Sequence, residues 1–540
     1  MELVREQGRL VPVLPPQFPF RVSSRPGCGR SLVAAREIRP GETVLTDSAI
    51  LLGPASAVVC IVCCTKRGRL LRCPGCGHVL CKVCEAADLH TEEECRALAK
   101  IGNTPGMFNI ILPVRFGLLK TRDPEMFEWL LQFMDHNQER NLNPEMRESN
   151  ERMTSLLASA VPGVSKEMAW RLVGILFTNC FEFRISNIDA RALYPLVSLV
   201  NHSCIPNLRH TNLINKLETY SDVKTENDSQ GDPDLSHEGG EIVVMQLEAA
   251  RTILPDTELT IRYNDYMMVG QLRKICLQFI QTINFQSQTQ RHKFLSEQWY
   301  FECQCSRCQD PTEFGTLTSS LPCPSCRSCT VIPSTSSRLI LDSLQLGQIG
   351  LIKSFLFSEL WQCNKCSYQE SRENAEMREN QFMRIAETKP RPYNIRTCLQ
   401  QLHDLSRVLH NNHIIIINLK QKFLFAFSIN MKKVRDLSSE QRQKLSPLFV
   451  AQEKYCRQLL TYHEVLDPGS SSIKTKLLLE LRKVLLIQTR WEYTLIFMNP
   501  CKLTILRVMA DDPTSTRDDL ASKLVEVKNL SYLVYEKVPL

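Results

Sequence analysis

The sequence contains no apolar run long enough to cross a bilayer. Its most apolar stretches, His413 to Leu419 and Phe423 to Ile429, fall far short of the ~20 residues that a membrane helix needs. The first 20 residues hold four prolines and lack the apolar centre of a secretory signal. We therefore expect a soluble, intracellular protein without a membrane partner.

Neither sign of charge is in large excess. The net charge is only +7 over 540 residues, and no basic run with base-reading geometry is present, so direct nucleic-acid binding has little support. The 23 cysteines are too sparse for a disulfide scaffold. They cluster in Cys-x-x-Cys pairs, which indicates zinc ligands in a reducing compartment. The length allows two to four domains.

Residues 60–95 supply eight potential metal ligands in 36 positions. Zinc takes four ligands in a tetrahedron, so this segment predicts two closed structural sites. Cys64 and His78 are spare ligands that could replace a member of either set. The predicted sets are Cys60, Cys63, Cys81 and Cys84 on one ion, and Cys73, Cys76, His90 and Cys95 on the other.

A later pair of Cys-x-x-Cys motifs has the spacing of a zinc ribbon. Its predicted ligands are Cys323, Cys326, Cys363 and Cys366, with Cys329 as a possible substitute. Elsewhere, residues 18–53 and 186–265 have the pattern of short strands, and residues 100–185 that of helices. The acidic stretch 218–241 is predicted to be a loop between strands Leu208–Leu217 and Ile242–Leu247. From residue 395 onward the leucine spacing is helical.

Three motifs follow one another in the second quarter and centre of the chain: Asn201-His202-Ser203-Cys204, then Tyr263, then Cys303-Gln304-Cys305-Ser306-Arg307-Cys308. This order, with the Cys/His cluster upstream, resembles the SET and MYND family of protein methyltransferases. The sequences of the segments Gly29 to Ile38 and Trp299 to Cys303 are most similar to the arthropod SmydA branch of this family. The first cluster then resembles a MYND finger, and a RING-type module is the competing assignment.

The resemblance implies an α+β fold: a SET β-fold with an inserted MYND zinc finger and helical segment, a post-SET zinc cap, a zinc-ribbon-like segment and a C-terminal TPR-like helical bundle. The domains expected in chain order are SET N-terminal part 18–59, MYND finger 60–95, helical insertion 96–185, SET C-terminal part 186–265, link and post-SET 266–310, zinc-ribbon-like segment 311–370 and helical domain 371–540.

The function implied by the resemblance is S-adenosylmethionine-dependent lysine N-methylation of histone or other proteins, in the cytoplasm and nucleus. Tyr263 would be the catalytic residue. A third zinc would lie on Cys204, Cys303, Cys305 and Cys308, which makes three ions and four with the ribbon. The alternative is a catalytically weak adaptor that recruits proteins through the finger and the helical C-terminus in transcriptional regulation. Cofactor contacts are expected from Gly29, Arg30, Asn179, Asn201, His202, Tyr263 and Phe301.

Four features depart from the family pattern. Ser31 stands where a second glycine is usual, which predicts weaker cofactor binding if that position needs glycine's torsions or a close approach. Trp299 replaces an aromatic that is often tyrosine in the lysine channel. The stretch Gly270 to Gln288 lengthens the link before Cys303, as a retained intron, an unusual isoform or a lid would. Trp491 to Val508 does not fit the surrounding helical pattern.

Overall fold

A computed structural model divides the chain into two compact units. The first unit comprises Met1–Ile283 and Gln290–Cys305, and the second comprises Asn284–Thr289 and Ser306–Leu540. The acidic stretch 218–240, residues 270–285 and the stretch 491–508 lie outside the described residues. Those residues are 2–6, 9–14, 17–25, 29–55, 59–66, 69–102, 108–185, 188–216, 241–263, 286–328, 330–334, 360–387, 395–431, 439–469 and 471–488.

Short strands build the first unit, as the sequence predicts. In chain order they are β1 Glu2–Glu6, β2 Arg9–Val13, β3 Phe20–Arg25, β4 Gly29–Ala34, β5 Thr43–Ser48, β6 Leu51–Pro54, β7 Leu70–Arg72, β8 Val79–Cys81, β9 Phe181–Ile185, β10 Ile188–Leu193, β11 Asn201–His202, β12 Leu208–Lys216, β13 Glu241–Ala249 and β14 Thr260–Ile261.

The pairing of these strands brings distant parts of the chain together. β3 and β4 form a hairpin, β13 lies between β12 and β5, and β10 lies between β6 and β9. The predicted strand pair around the acidic stretch is confirmed, because β12 and β13 are antiparallel from Leu208↔Ala249 to Lys216↔Glu241. β11 and β14 pair in parallel. This last pair positions the motifs Asn-His-Ser-Cys and Ile-Arg-Tyr side by side.

A turn over residues 39–42 leads into β5. Glu42 N–H donates to Arg39 O at 3.1 Å, and the Glu42 carboxylate accepts from Arg39 N–H at 3.1 Å. Gly41 has φ of +78°, a torsion that favours glycine. Within β5, Val44 and Leu45 are buried in the core of the unit.

Helices of the first unit lie in the finger and in the insertion after it. The insertion packs on the sheets through Trp129, Leu130 and Phe133, whose side chains are buried, with the Trp129 and Phe133 rings 5.7 Å apart. The helices are α1 Lys82–Ala86, α2 Glu92–Ile101, α3 Ile111–Arg122, α4 Pro124–Leu130, α5 Asn137–Arg140, α6 Pro144–Ala160 and α7 Lys166–Asn179.

The second unit joins a small sheet to a set of helices, which confirms the predicted helical C-terminal region. β16 is the central strand of the sheet. Ile414, Ile415, Ile416 and Ile417 are fully buried in one helix. None of the helices described is long and apolar enough to cross a membrane. The elements after β14 are α8 Gln288–Trp299, α9 Ser306–Gln309, β15 Val331–Pro333, β16 Leu360–Cys363, β17 Gln369–Ser371, α10 Arg372–Glu387, α11 Ile395–Leu405, α12 Ile414–Met431, α13 Ser439–Leu466 and α14 Ser472–Gln488.

The end of the lengthened link belongs to the second unit. Ser287 and Gln288 are almost fully buried, and Gln288 N–H donates to Ser319 Oγ at 2.7 Å. The Gln288 amide also donates to Cys308 O at 2.8 Å. Residues 287 and 288 are therefore part of the packed structure of the second unit.

Candidate active site and metal centres

Two groups of four ligands lie in the finger, and each group contains the four residues predicted for it. The ligand atoms within each group are all within 4.8 Å of one another. The Sγ atoms of Cys63 and Cys81 are 3.8 Å apart, and those of Cys73 and Cys95 are 3.5 Å apart. Zn–S bonds near 2.3 Å give a tetrahedron with S···S edges of roughly 3.8 Å, whereas a disulfide needs about 2.05 Å. Both groups therefore fit zinc.

An ion pair behind the second group was not predicted from the sequence. His90 turns its Nε2 toward Cys76 Sγ at 3.4 Å, while its Nδ1 lies 3.3 Å from Glu94 Oε2. Arg115 Nε donates to Glu94 Oε1 at 2.7 Å, and its guanidinium also donates to Leu52 O. A carboxylate behind a ligating histidine orients the ring. The i, i+4 spacing of His90 and Glu94 was the available signal.

The third predicted zinc site is represented in the first unit by three of its four cysteines. Cys204 Sγ lies 3.9 Å from Cys303 Sγ, and Cys305 belongs to the same group. The S···S distance again matches a tetrahedral edge. Cys308 follows in the second unit, and its role as the fourth ligand stays a prediction.

The fourth group lies wholly in the second unit, at the end of β16. Cys323 Sγ is 3.5 Å from Cys366 Sγ, and Cys326 Sγ is 3.6 Å from Cys363 Sγ. These four thiols fit a zinc ion by the same distances. The substitute ligand Cys329 lies outside the described residues.

The parallel pair β11–β14 places the predicted catalytic tyrosine. Asn201 pairs with Thr260 and His202 with Ile261, so the chain leaves β14 at Arg262 and Tyr263, beside His202. A buried amide supports the pair, because Asn207 accepts from Thr260 N–H and donates to Glu258 O, both at 2.8 Å. Asn207 was not predicted as a site residue, although it stands only three residues after Cys204.

Tyr263 lines a cavity of about 40 Å³ within the first unit. Its hydroxyl donates to Val200 O at 3.1 Å, and its ring lies 5.3 Å from the Trp299 ring. Burial of the hydroxyl raises the pKa of Tyr263, so this group is a neutral phenol. The other lining residues are Thr178, Asn179, Cys180, Phe181, Glu182, Ser198, Val200, His210, Arg262 and Trp299.

The two predicted asparagines lie on different elements, and of the two Asn179 lines the cavity. Asn179 ends α7 and donates its amide to Met134 O and Ile175 O, both at 2.8 Å. Asn201 donates to Glu258 Oε1 at 2.8 Å. The amide oxygens of both asparagines accept no bond within the described part of the chain, so they offer acceptors for a cationic group.

Gly29 and Arg30 begin β4, as expected. Gly29 has φ of +73°, and a Cβ placed on it would meet nothing within 4 Å. The Arg30 guanidinium donates to Gln132 O at 2.8 Å and lies 4.6 Å from the centre of the Trp129 ring. Ser31 lies in the strand without a positive φ, so the torsional part of the expected penalty does not apply.

Phe301 completes an aromatic group around His202. The Phe301 ring lies 5.9 Å from the His202 ring and 6.3 Å from the Tyr263 ring. His202 is itself 5.3 Å from the Tyr263 ring, in an edge-on arrangement. The described geometry therefore brings Asn201, His202, Tyr263 and Phe301 together, and their roles as cofactor contacts stay predictions.

Glu182 and His210 also line the cavity, and neither was predicted as a site residue from the sequence. Glu182 follows Phe181 on β9 and lies 3.4 Å from Arg191 Nε. Burial raises the pKa of Glu182, and Arg191 opposes that shift. His210 enters from β12. Neither residue belongs to a recognisable motif, and only the strand pairing brings them to the cavity.

Comparison with known proteins matches residues 29–264 to the SET domain. The chain is 29% identical over 337 residues to SET domain-containing protein SmydA-8, isoform B, of Drosophila melanogaster, covering 57% of this chain and 62% of that protein. It is 27% identical to histone-lysine N-methyltransferase ASHR1 of Arabidopsis thaliana, covering 54% and 55%, and 25% identical to human histone-lysine N-methyltransferase SMYD1, covering 52% and 54%.

The chain thus spans between about half and two thirds of the length of these relatives. A solved SET domain of LSMT, bound to lysine and AdoHcy, aligns over 88% of this chain and 83% of that chain at 11% identity. Its TM-score of 0.30 is too low to support a common fold by itself. The domain match shows that the chain contains a SET domain, and the relatives together with the paired ligand groups of the finger show that it is similar to SET and MYND proteins of the SmydA branch.

Proposed function

We propose that the chain is an S-adenosylmethionine-dependent protein-lysine N-methyltransferase that acts on histone or other proteins. The observation that carries this proposal is the neutral Tyr263 hydroxyl in the wall of a small cavity, at the end of the strand that pairs with Asn201 and His202. All three residues fall inside the segment that matches the SET domain. Two of the relatives, ASHR1 and SMYD1, are named histone-lysine N-methyltransferases, which supports the same reaction class.

The residues present fit the cofactor. The amide oxygens of Asn179 and Asn201 would accept from the ammonium group of S-adenosylmethionine, and the open space at Gly29 leaves room for close backbone approach. Phe301 offers an aromatic face to an adenine ring. When bound, the cofactor supplies the methyl group on its sulfonium.

The cavity walls suit the amine of a lysine side chain. Phe181, Tyr263 and Trp299 provide aromatic surface, which attracts a cation and excludes water once the amine is neutral. The Tyr263 hydroxyl donates its hydrogen bond to Val200 O, so its oxygen is left to accept a hydrogen bond from the incoming amine. A buried phenol is a poor base, and Tyr263 therefore orients the amine while water takes the proton.

Calorimetry on the full chain with S-adenosylmethionine is the first test. We expect micromolar binding, followed by methyl transfer to histone or lysine-rich peptides that mass spectrometry places on lysine. Absence of measurable cofactor binding would contradict the enzyme and leave the adaptor as the function. Binding without transfer to any peptide would point either to a non-histone substrate or to an incomplete site. A screen against a whole-cell protein extract would distinguish the two, because a complete site would methylate a protein of the extract and an incomplete one would not.

We also propose that protein partners bind through the finger and the helical C-terminus, and that the protein works in both cytoplasm and nucleus. The finger supports the first point because its two closed ligand groups leave no open metal position for catalysis. Cross-linking mass spectrometry in cells would test the partner surfaces, with cross-links confined to other regions counting against them. Fluorescence microscopy of the tagged full chain would test both compartments, and exclusion from either one would contradict the proposal.

A further inference from the structure

The His202 side chain takes over a backbone hydrogen bond where β11 and β14 stop pairing. Ser203 N–H donates to Ile261 O at 3.0 Å, as in a parallel ladder. If that ladder continued, the next bond would run from Tyr263 N–H to Ser203 O. Tyr263 N–H instead donates to His202 Nδ1 at 3.2 Å. A side chain thus holds the backbone of the residue that carries the cavity hydroxyl.

This bond determines which nitrogen of the ring carries the proton. A backbone N–H can only donate, so His202 Nδ1 must be an acceptor and the proton of the neutral ring lies on Nε2. His202 Nε2 is 3.5 Å from Cys204 Sγ. The Nε2–H group therefore donates to the sulfur, which carries negative charge when it ligates zinc.

We propose that His202 is a positioning residue that couples the Cys204 thiolate of the zinc group to the backbone of Tyr263. Its two ring nitrogens serve two partners at once, and the sulfur fixes the tautomer that Tyr263 needs. The consequence for methyl transfer rests on the proposed function, whereas the coupling itself does not. This role differs from a cofactor contact through the same side chain, which the sequence predicts.

The coupling matters because Tyr263 is restrained from both ends. Its hydroxyl is bonded to Val200 O, and its ring packs between His202 and Trp299, each 5.3 Å away. Loss of the Nδ1 acceptor leaves its N–H without this partner and lets the backbone after β14 shift. A displacement of about 1 Å at a reacting centre can cost on the order of 100-fold in rate.

Two substitutions separate the two halves of the coupling. His202→Asn keeps an acceptor oxygen close to the position of Nδ1 and is too short to reach Cys204. His202→Gln carries its amide donor to the position of Nε2 and has no acceptor at the Nδ1 position. The exposed His403, on α11 of the second unit, provides the matched control His403→Asn.

Nuclear magnetic resonance on the full chain detects both contacts of His202, with Tyr263 N–H and with Cys204 Sγ, and does not require activity. The amide peak of Tyr263 in ¹⁵N-tyrosine protein, assigned by its loss in Tyr263→Phe, should move in His202→Gln and stay nearly unchanged in His202→Asn. In ¹¹³Cd-loaded protein, the resonance lost in Cys303→Ser should shift in His202→Asn and less in His202→Gln. His403→Asn should leave both signals in place.

Kinetics then tests the positioning role. His202→Gln should lower kcat by about 10- to 100-fold, and by more than His202→Asn does, while the Kd for S-adenosylmethionine in His202→Gln stays within about threefold. An unmoved Tyr263 amide in His202→Gln would overturn the coupling. A loss of cofactor affinity that accounts for the whole loss of kcat would instead make His202 a cofactor contact. If the wild-type chain transfers no methyl group, the proposed function fails while the two resonance signals still decide the coupling.

Discussion

Arg115 Nε lies 2.7 Å from Glu94 Oε1, and this buried ion pair connects the finger to the SET sheets. Glu94 also contacts the Nδ1 of the zinc ligand His90, while the Arg115 guanidinium donates to Leu52 O on β6. Both partners are well enclosed, with side-chain exposures of 4% for Glu94 and 14% for Arg115. The orientation of the second metal group is therefore tied to strand β6 of the segment that matches the SET domain.

Glu94→Ala should both destabilise the first unit and weaken metal binding. Removing one partner leaves the Arg115 charge buried without its carboxylate, which costs about 3–5 kcal/mol in the free energy of unfolding. Loss of the carboxylate behind His90 should lower zinc affinity about 10- to 100-fold. Denaturant titration and zinc competition with a chelator measure the two effects.

Glu92→Ala is the control for this change. Glu92 lies on the same helix and faces Arg96 at 3.8 Å, but both side chains are mostly exposed. Such a surface pair contributes less than about 1 kcal/mol, so stability and zinc affinity should remain near wild type. Equal losses in the two variants would show that Glu94 has no special link to the metal group.

Asp47 should make the first unit less stable as the pH rises toward neutrality. Burial raises the pKa of Asp47 to about 6, even though its carboxylate accepts from Leu196 N–H and Val197 N–H at 2.7 and 2.9 Å. Because the folded pKa lies above the unfolded value of about 3.9, its contribution is full below pH 4 and is lost as the pH rises through 6. The total loss is about 3 kcal/mol.

Asp47→Asn removes this titration while keeping an acceptor oxygen for the two N–H groups. The stability of wild type relative to Asp47→Asn should fall by about 1.4 kcal/mol between pH 5 and pH 7.5. Denaturant unfolding of both proteins at each pH measures the difference and cancels the titration of the zinc ligands. A difference that does not change with pH would mean that Asp47 titrates at its ordinary value.

Tyr263→Phe should reduce methyl transfer and leave the fold intact. The change deletes the hydroxyl that donates to Val200 O and that would orient the amine, and we expect kcat to fall roughly 100-fold. Tyr455→Phe is the control, since Tyr455 packs edge-on against Phe423 in the second unit. Peptide methylation followed by mass spectrometry, with circular dichroism as the fold check, measures both. Wild-type kcat in Tyr263→Phe would remove Tyr263 from the catalytic step.

The metal groups could be predicted from local spacing, whereas much of the candidate site could not, because it depends on long-range strand pairing. A Cys-x-x-Cys pair places two ligands on one turn, so the sets containing Cys60 and Cys73 follow from the sequence. Glu182 and His210 reach one cavity only because β9 and β12 are brought to it by the fold. No periodicity of the chain encodes that meeting.

The motif order Asn-His-Ser-Cys and Tyr263 predicted the neighbourhood of the site because both segments end on paired strands. It did not predict what each side chain does there. The role of Arg30 as a cofactor contact stays a prediction, and the motifs did not predict that its guanidinium packs on Trp129 of the helical insertion, a contact across about a hundred residues of sequence. The direction of a side chain depends on such distant neighbours, and a single sequence does not supply them.

Gly29→Ala should weaken cofactor binding by more than its effect on stability explains. Gly29 and Gly41 share the same conditions, with φ of +73° and +78° and nothing within 4 Å of an added Cβ. Alanine at either position therefore costs about 1 kcal/mol in backbone strain alone. Only Gly29 begins the strand that carries Arg30 beside the proposed cofactor site, whereas Gly41 lies in the turn before β5. Calorimetry should show at least a tenfold weaker Kd for S-adenosylmethionine in Gly29→Ala, a change of about 1.4 kcal/mol, and an unchanged Kd in Gly41→Ala. Similar affinities in the two variants would place the cofactor away from Gly29.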